Sequence, residues 1–292
     1  MSVDAKTVKE LREKTGLPMM ECKRALEKTE GDVEKAIDEL RKGGAKAVEK
    51  LHGRKADQGR IASHVSADGK LGALVCLRCE TEPVANNEDF VAFTTKLVQV
   101  VVAARPADTA ALLAARIPGG GTVQDGVTDL VNRLRENISV GRFAVLEADS
   151  VAQYVHFDNR HAAMVAFSGG SQGSGGLQGA AGFAELGKGV CMHIVFSKPM
   201  FLSRNRFDQK LIAKEREICL AAAKNDPKNA KKNDEILGKI VEGQINKFVA
   251  ERCLLEQEYI KDDQKRSVEK CVAAFGGGAK VLEFAYIATD LD

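Results

Sequence analysis

At 292 residues, the chain is long enough to form two or three packed units with a substantial core. Its 43 basic and 41 acidic side chains leave a formal charge of +2, which is too balanced for a protein that binds phosphate backbones. No apolar run approaches the ~20 residues that a membrane-spanning helix needs. We therefore expect a globular protein with no direct nucleic-acid partner and no membrane partner.

The first residues and the cysteines both bear on the cellular compartment. Met1–Asp4 includes neither the basic nor the apolar region of a secretory signal. The seven cysteines are odd in number and scattered, which fits buried free thiols in a reducing environment. The sequence therefore predicts a cytoplasmic protein.

Residues 1–43 predict a module of three short helices. The first helix ends at Thr15-Gly16, Pro18 begins the second, and Gly31 precedes the third. The third helix carries an apolar stripe, formed by Val33, Ala36, Ile37 and Leu40. Such a unit can bind helices or loops of another protein, or it can serve only as a cap on the rest of the chain.

Residues 44–60 are locally basic. Glu49 and Asp57 are the acidic side chains that offset the lysines and arginines of this stretch. We interpret it as a solvated basic linker, with a surface for an acidic partner as the alternative.

The rest of the chain repeats itself. Aligning Ala62 with Ala152 also superposes Asp68-Gly69 on Asp158-Asn159, and both pairs suit the turn of a tight β-hairpin. Each copy predicts a strand, a turn, a second strand and then an apolar helix. The sequence therefore predicts a core of two related α+β halves, residues 61–146 and 147–292.

Local signals predict further helices within these halves. Thr122 and Asp125 have the spacing of a capping box that opens a helix. A helical hairpin is predicted over residues 207–252, with Asp226-Pro227 as the break between its arms. A short helix and a strand follow, so the predicted fold class is α+β.

Catalytic and metal chemistry find little support in the sequence. Cys76-x-x-Cys79 falls within a predicted strand and not at a helix N-terminus, which disfavours a metal or redox role, although a thiol-dependent enzyme stays an alternative. No serine lies in a nucleophile elbow. The histidines lack paired-ligand spacing: His52, His64, His156, His161 and His193. We predict no catalytic residue, no metal and no cofactor.

The run from Gly169 to Gly179 is rich in glycine but matches no nucleotide-binding motif. It lacks the Gly-Lys-Ser/Thr ending of a phosphate loop, and Gln178 occupies the third glycine position of the dinucleotide fingerprint. We interpret residues 169–182 as a flexible surface loop and expect that the chain itself binds no nucleotide.

Glu80–Phe90 leads from a predicted strand into a predicted helix. Such a connection can project from a rigid scaffold and carry a binding residue. The simpler interpretation is a turn in which Asn87 caps the helix that follows.

Several segments resemble the bacterial elongation factor Ts family. The most distinctive is Thr15–Leu26, TGLPMMECKRAL, which is similar to the N-terminal signature of that family. The resemblance covers essentially the whole chain. It continues through Glu136-Asn137-Ile138, Lys239–Gly243, Asn246–Phe248, Leu254–Gln257 and Asp262–Val268.

This resemblance implies both a fold and a function. The implied fold is a UBA-like three-helix module followed by the two-half core with its helical hairpin. The implied function is a guanine-nucleotide exchange factor that binds elongation factor Tu and promotes GDP release during translation elongation, without covalent chemistry. The alternative is a binding-only paralogue that acts as a chaperone or scaffold for elongation factor Tu and has weak exchange activity.

The resemblance also implies roles for particular residues. An exchange loop would consist of Thr81, Glu82, Pro83 and Val84. Partner-binding residues would be Leu11, Arg12, Met19, Met20, Ile138 and His156. The chain departs from the family at Glu82-Pro83, where the family has an Asp-Phe pair, and at Arg78, where it tends to have asparagine.

Overall fold

The computed structural model describes residues 3–169, 180–229 and 232–291. Its helices are α1 (Ala5–Thr15), α2 (Met19–Lys28), α3 (Val33–Leu51), α4 (Glu82–Ala85), α5 (Glu88–Ala104), α6 (Thr109–Ala114), α7 (Val123–Leu134), α8 (Ala180–Ser197), α9 (Gln209–Asn225), α10 (Asp234–Ala250) and α11 (Val268–Phe275). Its strands are β1 (Gln58–Val65), β2 (Leu71–Cys79), β3 (Ser139–Glu147), β4 (Ser150–Val155), β5 (His161–Ser168) and β6 (Lys280–Ala288). The mixture of helices and antiparallel sheets agrees with the predicted α+β class.

The first three helices pack around a small apolar core of their own. Gly16 ends α1 in the left-handed conformation, with φ of 67°. Its N–H donates to the Arg12 carbonyl. Asp32 caps α3 by accepting from the Lys35 N–H at 3.0 Å. The buried side chains of this core are Val8, Leu11, Leu17, Cys22, Ala25, Leu26 and Ala36.

The predicted linker is in part helical. α3 does not end at residue 43 but continues to Leu51, whose side chain packs into the core of the first half. Gly44, inside the predicted linker, is buried against α7, where an added Cβ would lie 1.9 Å from Asn132 Nδ2. Favourable packing on α7 therefore extends the helix through a stretch whose charges suggested a solvated chain.

Two antiparallel sheets form the centre of the described residues, with strand orders β1-β2-β3 and β4-β5-β6. The predicted hairpins are present, and their last strand pairs are Val65 with Gly72 and Val155 with Ala162. The third strand of the first sheet, β3, was not predicted from the sequence. It pairs with β2 from Leu71 to Arg78.

The two sheets pack face to face between layers of helix. On β2, Ala73, Val75 and Leu77 face the helices of the first half, while Leu74 and Cys76 face the second sheet. The central strand of the second sheet, β5, alternates in the same way, with Met164 in the cluster between the sheets. Both central strands are thus buried on both faces, which explains their continuous apolar sequences.

The two halves share uncommon backbone conformations. Arg105 follows α5 with φ of 44°, and Lys198 follows α8 with φ of 46°. Few non-glycine residues adopt a positive φ, so its recurrence at two positions 93 residues apart indicates the same local geometry after α5 and after α8. In the hairpin turns, Gly69 and Asn159 likewise have φ of 71° and 56°.

The helical hairpin of α9 and α10 follows α8. Its arms pack through Ala223, Leu237, Val241 and Ile245. Arg204 fixes its base, because Nη2 lies 2.9 Å from Glu256 Oε2 and Nη1 donates to Asn246 Oδ1 at 2.6 Å.

The predicted surface loop, residues 169–182, lies mostly outside the described residues, which omit 170–179. Its last residues differ from the prediction, because α8 already begins at Ala180. None of the helices in the described part of the chain is both long and apolar enough to cross a bilayer.

Candidate functional site

The predicted exchange loop forms a short helix on the surface. Thr81 precedes α4, and Pro83 lies in its first turn, where a missing N–H costs nothing. Glu82 and Pro83 are exposed, whereas Val84 and the buried Ala85 pack on the core of the first half. The loop is therefore anchored on one side and presents Glu82 and Pro83 to solvent on the other.

Two carboxylates hold the strand end that precedes this helix. Glu136 Oε2 accepts from the N–H groups of Glu80 and Thr81, each at 3.0 Å, and Oε1 accepts from the Thr81 hydroxyl. Reciprocally, Glu80 Oε1 accepts from the Asn137 N–H at 2.7 Å and lies 3.6 Å from Arg54 Nη1. The exposed turn thus stands on a support with several charged hydrogen bonds, which are stronger than neutral ones.

The predicted contact residues of the module differ in exposure. Met19 and Met20 are 49% and 57% exposed at the start of α2, and Arg12 is exposed on α1. Leu11 is 0% exposed and belongs to the module's own core. A partner contact by Leu11, which the resemblance implies, stays a prediction. Its side chain supports the surface that Arg12 and the two methionines form.

The module is attached to the core beside the exchange loop. Arg135, just after α7, forms an ion pair with Glu21 of α2. Arg133 pairs with Asp89 of α5 at 2.7 Å. Since Glu136 is the residue next to Arg135, adjacent residues bind the module and the exchange loop.

The remaining predicted residues, Ile138 and His156, lie in different surroundings. Ile138 is buried in the core of the first half, where it supports the strand that follows Glu136, and its partner contact stays a prediction. His156 lies at the β4–β5 turn, where its Nδ1 is 2.9 Å from Tyr154 Oη. Its neighbour Phe157 is 86% exposed, which makes this turn an apolar projection of the second half.

A second histidine stabilises the same turn. His161 Nδ1 lies 2.9 Å from Asp158 Oδ2, and the Arg160 N–H donates to the other oxygen of Asp158 at 2.8 Å. Partial burial opposes ionisation of Asp158, but these hydrogen bonds hold the pKa of its carboxyl below the usual value. The turn that carries His156 is therefore fixed by an ionised carboxylate.

The two cysteines of the Cys-x-x-Cys pair are separated by the sheet. Cys76 faces the second sheet and Cys79 faces the helices of the first half. Burial raises the pKa of Cys76 to about 11 and that of Cys79 to about 12. Because the thiolate is the reactive species, these positions do not favour thiol chemistry. In the described residues, no group of three or more His, Cys, Asp or Glu side chains is arranged to hold a metal ion.

Sequence reasoning missed the support of the exchange loop. Glu136-Asn137 belongs to a segment that resembles the family, and no local pattern marks Glu80 or Arg54. The available signal was an acidic residue directly after a helix, but nothing in the sequence reports that it meets a strand end 55 residues earlier.

The exposed apolar side chains of Met19, Met20 and Phe157 are typical of a class of protein that acts by binding the surface of a partner. Comparison with known proteins identifies the family. Residues 80–289 match the sequence model described as Elongation factor TS. A protein named Elongation factor Ts from Clostridium botulinum (strain Alaska E43 / Type E3) is 37% identical over 287 residues, which covers 97% of this chain and 91% of the relative.

Two further relatives with the same name are similarly close. The protein from Clostridium perfringens (strain SM101 / Type A) is 40% identical, with 90% of this chain and 84% of the relative covered. The protein from Hahella chejuensis (strain KCTC 2396) is 41% identical, with 89% and 84% covered. The chain belongs to the elongation factor Ts family.

Proposed function

We propose that this protein is a guanine-nucleotide exchange factor that binds elongation factor Tu and promotes GDP release during translation elongation. The family membership supports this function. The single structural observation that carries it is the exposed Glu82-Pro83 turn, held on the carboxylates of Glu136 and Glu80. No covalent step is required, and the site of action is the cytoplasm.

The mechanism follows from reciprocal binding. A GTPase holds GDP largely through contacts to the phosphates and Mg²⁺. A protein that binds the nucleotide-free GTPase more tightly than the GDP-bound form lowers the affinity of the GTPase for GDP. GDP lowers the affinity of the GTPase for that protein by the same factor. A preformed projection such as α4 suits this role, because little binding free energy is lost in ordering it.

The finer architecture distributes the contacts over the molecule. The UBA-like module contacts the GTP-binding domain of elongation factor Tu through Arg12, Met19 and Met20. Glu82 and Pro83 approach the helices of the nucleotide site, and His156 extends the contact. The second half of the core binds a separate domain of the partner, which provides the ~1,200 Å² or more that a specific complex buries.

The exchange loop itself tests the proposal. Proline offers less apolar area than the family's phenylalanine, and at ~25 cal/mol per Å² the missing ring costs about 1–2 kcal/mol of binding to the opened state. We therefore expect Glu82→Asp combined with Pro83→Phe to speed GDP release about five- to thirtyfold on a standard bacterial elongation factor Tu. Stopped-flow release of labelled GDP measures this.

A matched control separates a specific gain from a general one. Ala107→Phe adds an exposed phenyl ring after the far end of α5, a helix of 17 residues and so about 25 Å long. It should leave the rate unchanged. The cognate elongation factor Tu serves as a second partner, since its cleft can be shaped to fit proline. Equal rates for the double variant and the wild type on both partners would contradict the role of this loop.

The binding-only paralogue is the competing function. It predicts a stable complex with elongation factor Tu and no acceleration of GDP release by the wild-type protein. The same stopped-flow measurement therefore discriminates the two.

A further inference from the structure

We propose that Glu136 is the positioning residue of the exchange loop: its carboxylate sets the orientation in which Glu82 and Pro83 meet the partner. This inference rests on the proposed function and deepens it. Glu136 itself does not belong to α4. It acts through the backbone that leads into that helix.

The geometry assigns Glu136 three donors from two consecutive residues. Both backbone N–H groups of Glu80 and Thr81 point to Oε2 at 3.0 Å, and the Thr81 hydroxyl donates to Oε1. Three donors on one carboxylate fix the Cys79–Glu80 and Glu80–Thr81 peptide planes, from which the chain continues to Glu82. A preformed turn loses little binding free energy in being ordered, so loss of these hydrogen bonds should weaken the contact of Glu82 and Pro83 with the partner.

The short helix cannot hold itself in place. α4 has four residues, well below the length at which a helix is stable on its own. Its N-cap residue, Thr81, makes no capping hydrogen bond to the helix, because its hydroxyl is directed to Glu136. The side chain that would ordinarily stabilise the first turn is thus used to attach the turn to a different part of the chain.

Glu136 also connects the loop to the module. The preceding residue, Arg135, has φ of 61° and pairs with Glu21 of α2. The following residue, Asn137, donates its N–H to Glu80 and its side-chain amide to the Arg54 carbonyl at 2.7 Å. One short segment therefore holds the two proposed contact surfaces at a set distance from each other.

A series of substitutions at Glu136 tests positioning against a direct electrostatic effect. Glu136→Ala removes all three hydrogen bonds, and Glu136→Asp withdraws the carboxylate by one methylene. We expect each to lower the saturating rate of GDP release about tenfold, while the half-saturating concentration changes less than about threefold, because the module still binds. Glu136→Gln keeps an oxygen for the two N–H groups and should retain the rate within about threefold.

Thr81→Val supplies a milder variant that keeps the β-branched shape and both N–H groups. It removes one hydrogen bond and should lower the saturating rate about two- to fivefold. Glu147→Gln is the matched control. Glu147 lies on the adjacent strand β3 and its carboxylate pairs on the surface with Arg105 at 2.8 Å, so this change should leave both kinetic parameters unaltered.

Amide hydrogen exchange of Glu80 and Thr81 provides a readout that needs no partner. In Glu136→Ala both amides should exchange on the order of tenfold faster, with the strand interior unchanged. Unchanged protection, an unchanged GDP-release rate, or a Glu136→Gln rate as low as that of Glu136→Ala would each overturn the inference. A wild-type protein that does not accelerate GDP release from elongation factor Tu would instead overturn the proposed function, and the amide exchange would still decide whether Glu136 holds the loop.

Discussion

The buried side chain of His193 links two segments of the second half. It is 1% exposed, with Nε2 at 2.9 Å from Gln257 Oε1, and Nδ1 accepts from the Ile260 N–H at 3.4 Å. This pattern requires the neutral imidazole, with its proton on Nε2. The residue therefore links α8 to the segment before α11 only while it is uncharged.

The pH dependence of stability follows from this burial. Desolvation lowers the pKa of His193 from its ordinary 6.5, although the hydrogen bond to Gln257 opposes the shift. Between the lowered pKa and 6.5 the unfolded chain binds more protons, so stability falls as the pH drops below about 6.5, by at most ~1.4 kcal/mol per pH unit. Thermal unfolding from pH 8 to pH 5 measures it.

The matched variants are His193→Gln and His52→Gln. His193→Gln should be less stable at pH 8 by about 1–3 kcal/mol and should show a shallower decline toward pH 5. His52 is exposed after α3, so its replacement should leave the slope as in the wild type. An identical decline in all three proteins would show that another group causes it.

The cysteines give a second prediction at this scale. Since burial raises the pKa values of Cys76 and Cys79 to about 11 and about 12, both thiols stay protonated at pH 8. An alkylating reagent should modify the partly exposed Cys219 and Cys271 first. Joint replacement of Cys76 and Cys79 by serine should leave GDP release intact in the folded fraction. Loss of exchange with unchanged stability would favour thiol chemistry.

At the scale of elements, two neighbouring glycines in α3 have opposite environments. An added Cβ at Gly43 meets nothing within 4 Å, whereas at Gly44 it would lie 1.9 Å from the Asn132 amide. We expect Gly43→Ala to stabilise the protein by about 0.5–1 kcal/mol through helix propensity. Gly44→Ala should destabilise it by about 1–3 kcal/mol, because either the buried Asn132 side chain or α3 itself must shift to make room for the methyl group.

Chemical unfolding of the two variants measures this difference, and each serves as the control of the other. They add the same methyl group at adjacent positions of one helix. If both stabilised the protein, the close packing of α3 on α7 would be wrong, and residues 44–51 would behave as the solvated linker that their charges suggest.

Elements with local signals were predictable from the sequence, and elements fixed by distant contacts were not. Thr122 and Asp125 form the predicted capping box, and Gly16 ends α1, because both effects act within one helical turn. The extent of α3 and the strand β3 depend on packing against α7 and β2, which no local pattern reports. The roles of Glu82, Met20 and Leu11 were predicted through resemblance, whereas the exposure of the first two and the burial of Leu11 needed the structure.

At the scale of the whole molecule, the module and the core share one helix. Removal of residues 1–43 deletes the exposed Arg12, Met19 and Met20 but keeps Leu51 in the core of the first half. Removal of residues 1–51 deletes the three exposed residues and Leu51 as well. Both truncations should raise the half-saturating concentration for GDP release at least about tenfold. Only the longer one should also lower the melting temperature, by about 5–10 °C.

Calorimetry and exchange kinetics on the same two proteins check this prediction. Undiminished affinity in both would show that the module only caps the core, which is the alternative that its sequence left open. Equal melting temperatures would show that Leu51 adds nothing to the stability of the first half.

The face-to-face sheets also bear on how such a chain could arise. One half by itself would leave the inner side of its sheet, such as Leu74 and Cys76 or Met164, exposed to water. A single half produced alone is therefore expected to pair with a second copy, each copy covering the inner sheet face of the other. Within one chain, the two halves can differ at matching positions. Ala103 lies near the end of α5, and the matching residue of α8 is Phe196, which is 77% exposed. One copy could keep the fold intact while the other acquired a new surface.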